Sequence, residues 1–114
     1  MKAFIRVMKA LSDPNRIKMI KMIQTRPLCV CEITEALGIA QSTASKHLKI
    51  LEDAELLRSF KDGLWVNYSI SDGSGSPYSA SMIGNLKHWL DDESEIKELC
   101  RILPDIDRHD IVSK

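Results

Sequence analysis

Cys29-Val30-Cys31 places two soft-metal ligands one residue apart, in a segment, Leu28-Cys29-Val30-Cys31, where apolar and thiol side chains alternate. Thiolates select soft ions, and two held close together chelate. In extended backbone, residues i and i+2 point to the same side, so the two sulfurs converge. In a regular helix of 3.6 residues per turn they diverge by about 200°. Metal binding therefore favours extended or distorted backbone at this point. A helix is expected to follow over about residues 32–37, and a helix N-terminus lowers a nearby thiol's pKa, so both groups are expected to be thiolates near neutral pH. The competing reading is a pair of small buried apolar residues. Cys100, the third of three cysteines, shares an apolar stripe with Ile96, Leu99 and Leu103, where core packing is its expected role. An odd count and the poor disulfide geometry of i, i+2 neighbours argue for free thiols, metal ligands or redox sensors.

The elements that must position this pair follow from hydrophobic spacing and breakers. Phe4, Ile5, Met8 and Leu11 sit at helical spacing, and Ser12-Asp13-Pro14 then restarts the chain as a second helix over about 14–24. Gly38 ends the short helix after the cysteines as a C′ glycine. Ile39-Ala40 turns, and a longer helix runs from about Gln41 to Ala54 with Ala44, Leu48 and Leu51 as its buried stripe. Leu56 to Lys61, Asp62-Gly63 and Leu64 to Ile70 read as a hairpin whose turn is Asp-Gly, with Leu64, Val66, Tyr68 and Ile70 on one face. Ser71 to Pro77 is a flexible break. Met82, Ile83, Leu86, Trp89 and Leu90 then form one amphipathic helix, and Ile96 to Leu103 another, stopped at Pro104. The expected fold is mainly α with a short β-hairpin wing: a single winged helix-turn-helix domain over 1–114. Its recognition helix lies at about 41–54, its wing at about 56–70, and its apolar terminal helices, about 2–11 and 78–103, are expected to form a homodimer.

Within that frame, the helix from Gln41 is the one that enters the major groove, its N-terminal residues against base edges. Gln41, Ser42, Thr43, Ser45, Lys46 and His47 are the candidate DNA-binding residues there. Gln pairs bidentately with adenine, hydroxyls reach bases or phosphates, and Lys46 supplies charge. Arg58 and Lys61 on the wing are candidates for phosphate contacts. The net charge is zero, yet residues 1–50 carry nine Lys/Arg against three Asp/Glu, and residues 51–114 carry seven against thirteen. A basic half fits double-stranded operator DNA, with the acidic half facing away.

Composition excludes several classes. Hydrophobic residues make up 44% and aromatics only 5%, which suits an aliphatic core of packed helices. No run of 18 or more apolar residues exists, and Met1 to Arg6 lacks a signal peptide's apolar stretch, so no membrane partner and a cytoplasmic location are expected. His47, His88 and His109 are the only histidines, and none stands in a nucleophile context; nor is there a Gly-rich phosphate loop or paired carboxylates. An enzyme is not expected.

Three segments together resemble the ArsR/SmtB-type metalloregulatory repressors. Ala10-Leu11-Ser12-Asp13-Pro14-Asn15-Arg16-Ile17 is similar to the family's Asp-Pro-x-Arg start of its second helix. Leu28-Cys29-Val30-Cys31-Glu32-Ile33 is similar to the Leu-Cys-Val-Cys-Asp-Leu box of its arsenic-, cadmium- and lead-sensing members. Gln41 to Leu51 is similar to its recognition helix. The resemblance covers residues 3–90. It implies a homodimeric repressor that needs no cofactor to bind a two-fold symmetric operator and dissociates when metal binds, with Cys29 and Cys31 as metal ligands.

Departures from the family pattern narrow the inducer. The third cysteine that arsenic-sensing relatives often carry three residues after the second is here Thr34, and no cysteine precedes Cys29 as in cadmium/lead relatives. The Asp-x-His and His-x-x-Glu set of zinc sensors is missing from residues 77–103. Asp107-x-His109 is a half-match expected to be solvated tail. With two thiols and no histidine beside them, As(III) or Sb(III) is the leading inducer, with Cd(II) or Pb(II) next and zinc last. Cys100, the other subunit, water or an exogenous thiol completes the coordination. A thiol-redox or persulfide-responsive repressor of the same fold, with Cys100 joining Cys29 or Cys31, is the alternative.

Overall fold

The computed structural model describes residues 1–113, with side chains through Ile111. Helices α1 (Lys2–Ala10) and α2 (Pro14–Thr25) lead into a two-residue strand β1 (Leu28–Cys29), then α3 (Val30–Leu37) and α4 (Gln41–Asp53). Strands β2 (Leu57–Asp62) and β3 (Trp65–Ile70) follow, then α5 (Pro77–Leu86), α6 (Ser94–Ile102), a 3-10 turn (Leu103–Asp105) and α7 (Arg108–Ser113). The sheet order is β1-β3-β2, both pairings antiparallel. This is a winged helix-turn-helix, mainly helical with a small sheet.

Local chemistry explains the main boundaries. Asp13 caps α2 by accepting from the Asn15 and Arg16 amides at 2.9 and 3.2 Å, with Pro14 at the first helical position. Ser76 and Pro77 repeat the device at α5, the Ser76 hydroxyl accepting from Tyr78 and Ser79. Gly38 ends α3 at φ 67°, a left-handed turn that puts Ala40, the N-cap of α4, two residues later. The core gathers Met19, Ile20, Met22 and Ile23 of α2 with Leu28, Ile33, Ala44, Leu48, Leu51, Leu56 and Leu57, so α2 is the central packing element.

Three expectations change. The wing turn is Gly63-Leu64, closed by the Asp62–Trp65 pair, because Gly63 at φ 63° takes the position that demands a positive φ. That shift of one residue lifts Leu64 off the strand face onto the tip, where it is fully exposed. The wing also gains β1: Leu28 pairs with Tyr68 and Cys29 with Asn67. Finally, the apolar stretch expected as one helix from Met82 through Leu90 breaks after Leu86. Lys21, 4% exposed on α2, donates its ammonium to the Leu86 carbonyl (2.6 Å), the Trp89 carbonyl (2.9 Å) and Asp91 (2.6 Å). The Leu86 carbonyl is one of those that a helix C-terminus leaves without partners, the Trp89 carbonyl lies in the turn beyond it, and Leu90 turns the chain away at φ 70°.

Lys21 therefore ties the central helix to the end of α5. Lys21→Met leaves two carbonyls unpaired, a cost of about 2 kcal/mol. The thermal midpoint followed by circular dichroism should fall by roughly 10 °C, whereas Lys18→Met, which removes only a 3.5 Å pair with exposed Glu95, should leave it unchanged.

Candidate functional site

Cys29 ends β1 and is the N-cap of α3, with extended backbone (φ −89°, ψ 167°), while Cys31 already lies in the first turn of α3. The half-extended, half-helical geometry brings the two sulfurs to 2.7 Å. Cys29 is 2% exposed and Cys31 is half-buried. Thr34, where some relatives carry a cysteine, turns its hydroxyl to the Cys31 carbonyl at 2.9 Å. Among the described residues no group of three or more His, Cys, Asp or Glu is arranged to hold a metal ion.

The expected lowering of both thiol pKa values fails at Cys29. Burial pushes this thiol up to about 12, reinforced by its hydrogen bond with Cys31 and by the Glu32 carboxylate, and opposed by the Glu32 amide. The helix N-terminus acts in the expected direction, but desolvation outweighs it. Cys29 is thus a protonated thiol at neutral pH.

Glu32, buried, is the residue around which the turn is built. Its carboxylate accepts the Cys29 N–H at 3.0 Å and is held by the Arg26 guanidinium at 2.9 Å. The same arginine donates to the Leu103 and Ile106 carbonyls at 3.3 and 2.8 Å. The sequence carries a local signal for this: Cys29-x-x-Glu32 has capping-box spacing with a thiol at the cap. Nothing local pointed to Arg26.

On the other side of the helix-turn-helix, Gln41, Ser42, Thr43, Ser45 and Lys46 are exposed at the start of α4, while Ala44, Leu48 and Leu51 face the core. His47 is half-buried, its Nδ1 3.1 Å from Arg16. Arg16 also donates to the Ala10 carbonyl (2.7 Å) and the Lys9 carbonyl (3.2 Å), so it fixes the α1–α2 corner against α4. Of the wing candidates, Lys61 is exposed near the tip, but Arg58 is drawn to Asp72 (2.9 Å). Hydrogen bonds from Ser74, with Arg58 beside them, hold the Asp72 carboxyl below the usual range. The basic half is correspondingly less free than its count implies: Arg16, Lys21 and Arg26 are engaged inside the fold.

Cys100 departs from its expected packing role. Ile96, Leu99 and Leu103 are buried, but position 100 falls on the outer edge of the stripe and its thiol is exposed. Asp107 and His109 are exposed and pair with each other at 3.1 Å, yet the segment that holds them is folded back on the wing rather than free, because Arg108 between them bonds to Asn67 and Asp62. No helix among the described residues is long and apolar enough to cross a membrane.

Residues 13–59, from the capping aspartate through the first wing strand, match the family described as bacterial regulatory protein, arsR family. An arsenical resistance operon repressor of Bacillus subtilis is 42% identical over 65 residues, 56% of this chain and 62% of the relative, so the chain spans less than two thirds of that protein. An uncharacterized HTH-type transcriptional regulator of Methanocaldococcus jannaschii is 37% identical over 67 residues, 58% of this chain and 75% of the relative. Among solved structures, HlyU of Vibrio cholerae superposes with a TM-score of 0.62 at 27% identity, over 75% of this chain and 88% of that one. With a helix-turn-helix, a wing and a capped α2 in the matching order, the chain belongs to the arsR family of bacterial regulatory proteins.

Proposed function

We propose that the chain is a homodimeric metal(loid)-responsive repressor that leaves a two-fold symmetric operator when As(III) or Sb(III) joins Cys29 to Cys31. The observation that carries this is the pair of sulfurs 2.7 Å apart with Cys29 buried. Arsenous acid suits such a site because it is a neutral electrophile with hydroxyl leaving groups. Each thiol proton passes to an arsenic-bound hydroxyl, two waters leave, two S–As bonds form, and no oxidation state changes. The third position keeps its hydroxyl or takes an exogenous thiol, which fits a site without a third protein ligand among the described residues. The relative named an arsenical resistance operon repressor supports the same inducer class.

On DNA, Gln41, Ser42, Thr43, Ser45 and Lys46 read the major groove, and Lys61 meets the backbone from the wing. His47 acts through Arg16, as a brace for the helix, and Arg58 reaches phosphate on giving up Asp72. The single domain over 1–114 pairs through its terminal helices. Phe4 and Ile5, each 41% exposed on α1, continue into exposed Tyr78 of α5, whose ring meets Phe4 edge-on at 5.5 Å. Such a contiguous apolar face fits a second copy of the chain. The dimer then sets two α4 helices one DNA turn apart.

The 2.7 Å approach also favours a second reading. A two-electron oxidant such as peroxide takes one hydrogen from each thiol and closes Cys29 to Cys31 as a disulfide, with two waters formed per peroxide. Bridging neighbours at i and i+2 strains the disulfide, so such a bond is readily reduced again, and the partner in this reading is Cys31 in place of the exposed Cys100.

Arsenite should lower operator affinity by about 5–150-fold, the usual span of allosteric coupling, measured by fluorescence anisotropy. Cys29→Ser with Cys31→Ser should bind operator as before and show no release; release by arsenite from that protein would refute the site. The pH dependence separates inducers. Cadmium must expel the Cys29 proton, so below the thiol pKa its apparent affinity should rise by about tenfold or more per pH unit. Arsenite carries the proton away as water, so its affinity should stay flat between pH 6 and 8. For the dimer, Ile5→Asp should shift sedimentation to the monomer and weaken operator binding by at least roughly 100-fold, since it buries an unpaired carboxylate in the interface.

A further inference from the structure

Glu32 and Arg26 place one end of the C-terminal segment at the Cys29 turn, since the arginine that holds the Glu32 carboxylate also holds the Leu103 and Ile106 carbonyls. The other end of the segment lies on the wing. The Arg108 guanidinium donates to Asn67 Oδ1 at 3.1 Å and to Asp62 Oδ2 at 3.0 Å, and it stacks 4.9 Å from the centre of the Trp65 ring. His109 meets the same ring edge-on at 5.9 Å. Asn67 is the residue paired with Cys29 across β1 and β3. Both ends of residues 103–111 therefore converge on Cys29, one through its capping carboxylate and one through its cross-strand partner. Between them lies a groove of about 430 Å³ lined by Arg26, Glu32, Asn67, Ile106 and Arg108 among others.

We propose that residues 103–111 form an intramolecular strap that locks the wing to the thiol turn, with Arg108 as its positioning residue, so that the wing responds to the thiol site. Its regulatory half rests on the function proposed above; its structural half does not. Arg108 acts on DNA binding through Asp62. That carboxylate stands beside Lys61 at the wing tip, where a phosphate backbone is met, and the guanidinium neutralises it while holding β3 in place. When the thiol pair is bridged, the cap at Cys29 and the two-residue strand must adjust together. The β1–β3 pairing then passes that adjustment to Asn67 and hence to Arg108. Only two ladder positions, Leu28 and Cys29, tie the thiol turn to the wing, so small changes at Cys29 displace a large fraction of that pairing.

Trp65 and Trp89 are the only tryptophans, so the full chain carrying Trp89→Phe reports on the strap through Trp65 emission. Arsenite binding is followed separately, by the ultraviolet absorbance of the S–As bonds. In this parent, arsenite should shift Trp65 emission and lower operator affinity. Adding Arg108→Ala should leave the absorbance titration unchanged, abolish the emission shift and reduce the fold-release by at least half on a logarithmic scale. Without arsenite, the same variant should bind operator about fivefold more weakly, the value of one exposed charge interaction. Asp62→Asn in the Arg108→Ala background should restore that loss, which a general loss of structure would not allow. Full release and an intact emission shift in Arg108→Ala would overturn the strap. If the parent shows no S–As absorbance, the inducer assignment has failed instead. The strap then stands on the affinity loss and its rescue by Asp62→Asn, and operator binding unchanged by Arg108→Ala overturns it.

Discussion

The Glu32 carboxylate holds the Cys29 amide with one oxygen and the Arg26 guanidinium with the other. It is buried, and a buried carboxylate without partners is costly, so these contacts constrain everything around them. Because Glu32 is bonded to the Cys29 N–H, α3 must start where it does, with Cys29 in extended backbone and Cys31 in the first helical turn. That one constraint converges the sulfurs, places Cys29 opposite Asn67 in the sheet, and orients Arg26 toward the Leu103 and Ile106 carbonyls around the 3-10 turn after α6. The thiol pair, the first helix of the helix-turn-helix and the wing thereby share a single residue.

Charge is distributed by the same logic of satisfying buried groups. Three of the basic side chains in the first fifty residues work inside the fold: Lys21 on the carbonyls after α5, Arg16 on the α1–α2 corner and His47, and Arg26 on Glu32. A planar guanidinium with several fixed donors serves such corners better than an ammonium would, because it meets carbonyls and a carboxylate at once. The exposed positive charge left near the start of α4 is modest. Polar side chains, Gln41, Ser42 and Thr43, accordingly carry more of the candidate interface than net charge does. Burial also reverses the expected chemistry of the candidate thiol site. A helix N-terminus stabilises a thiolate, but the burial of Cys29 costs more than the dipole returns.

Much of the fold was legible along the chain because its signals are local. Asp13-Pro14, Gly38 and the 3.6-residue spacing of Ala44, Leu48 and Leu51 mark helix limits and faces without reference to distant residues. The hairpin was legible too, but its turn was misplaced by one residue, since Asp-Gly and Gly-Leu compete and pairing across the whole ladder decides between them. The break after Leu86 was hidden for a different reason. Leu86, Trp89 and Leu90 keep helical spacing, and the helix ends where Lys21, more than sixty residues earlier, takes the Leu86 carbonyl and the Trp89 carbonyl beyond it. Cys100 faces solvent where its spacing predicts packing, because a stripe defined by spacing has no sharp edge and packing alone sets which side of that edge is exposed.

By itself, then, the sequence determined the candidate residues and which element each belongs to: a C-x-C pair ahead of a short helix, a polar face on the next helix, and a hairpin after it. Periodicity, caps and turn residues act over a few positions, so they can be read without the fold. Tertiary structure decided the protonation of Cys29, the withdrawal of His47 and Arg58 into internal bonds, the joining of β1 to the wing, and the return of Arg108 to Asp62 and Asn67. Each of these depends on desolvation or on partners tens of residues away, and neither desolvation nor distant pairing exists until the chain is packed.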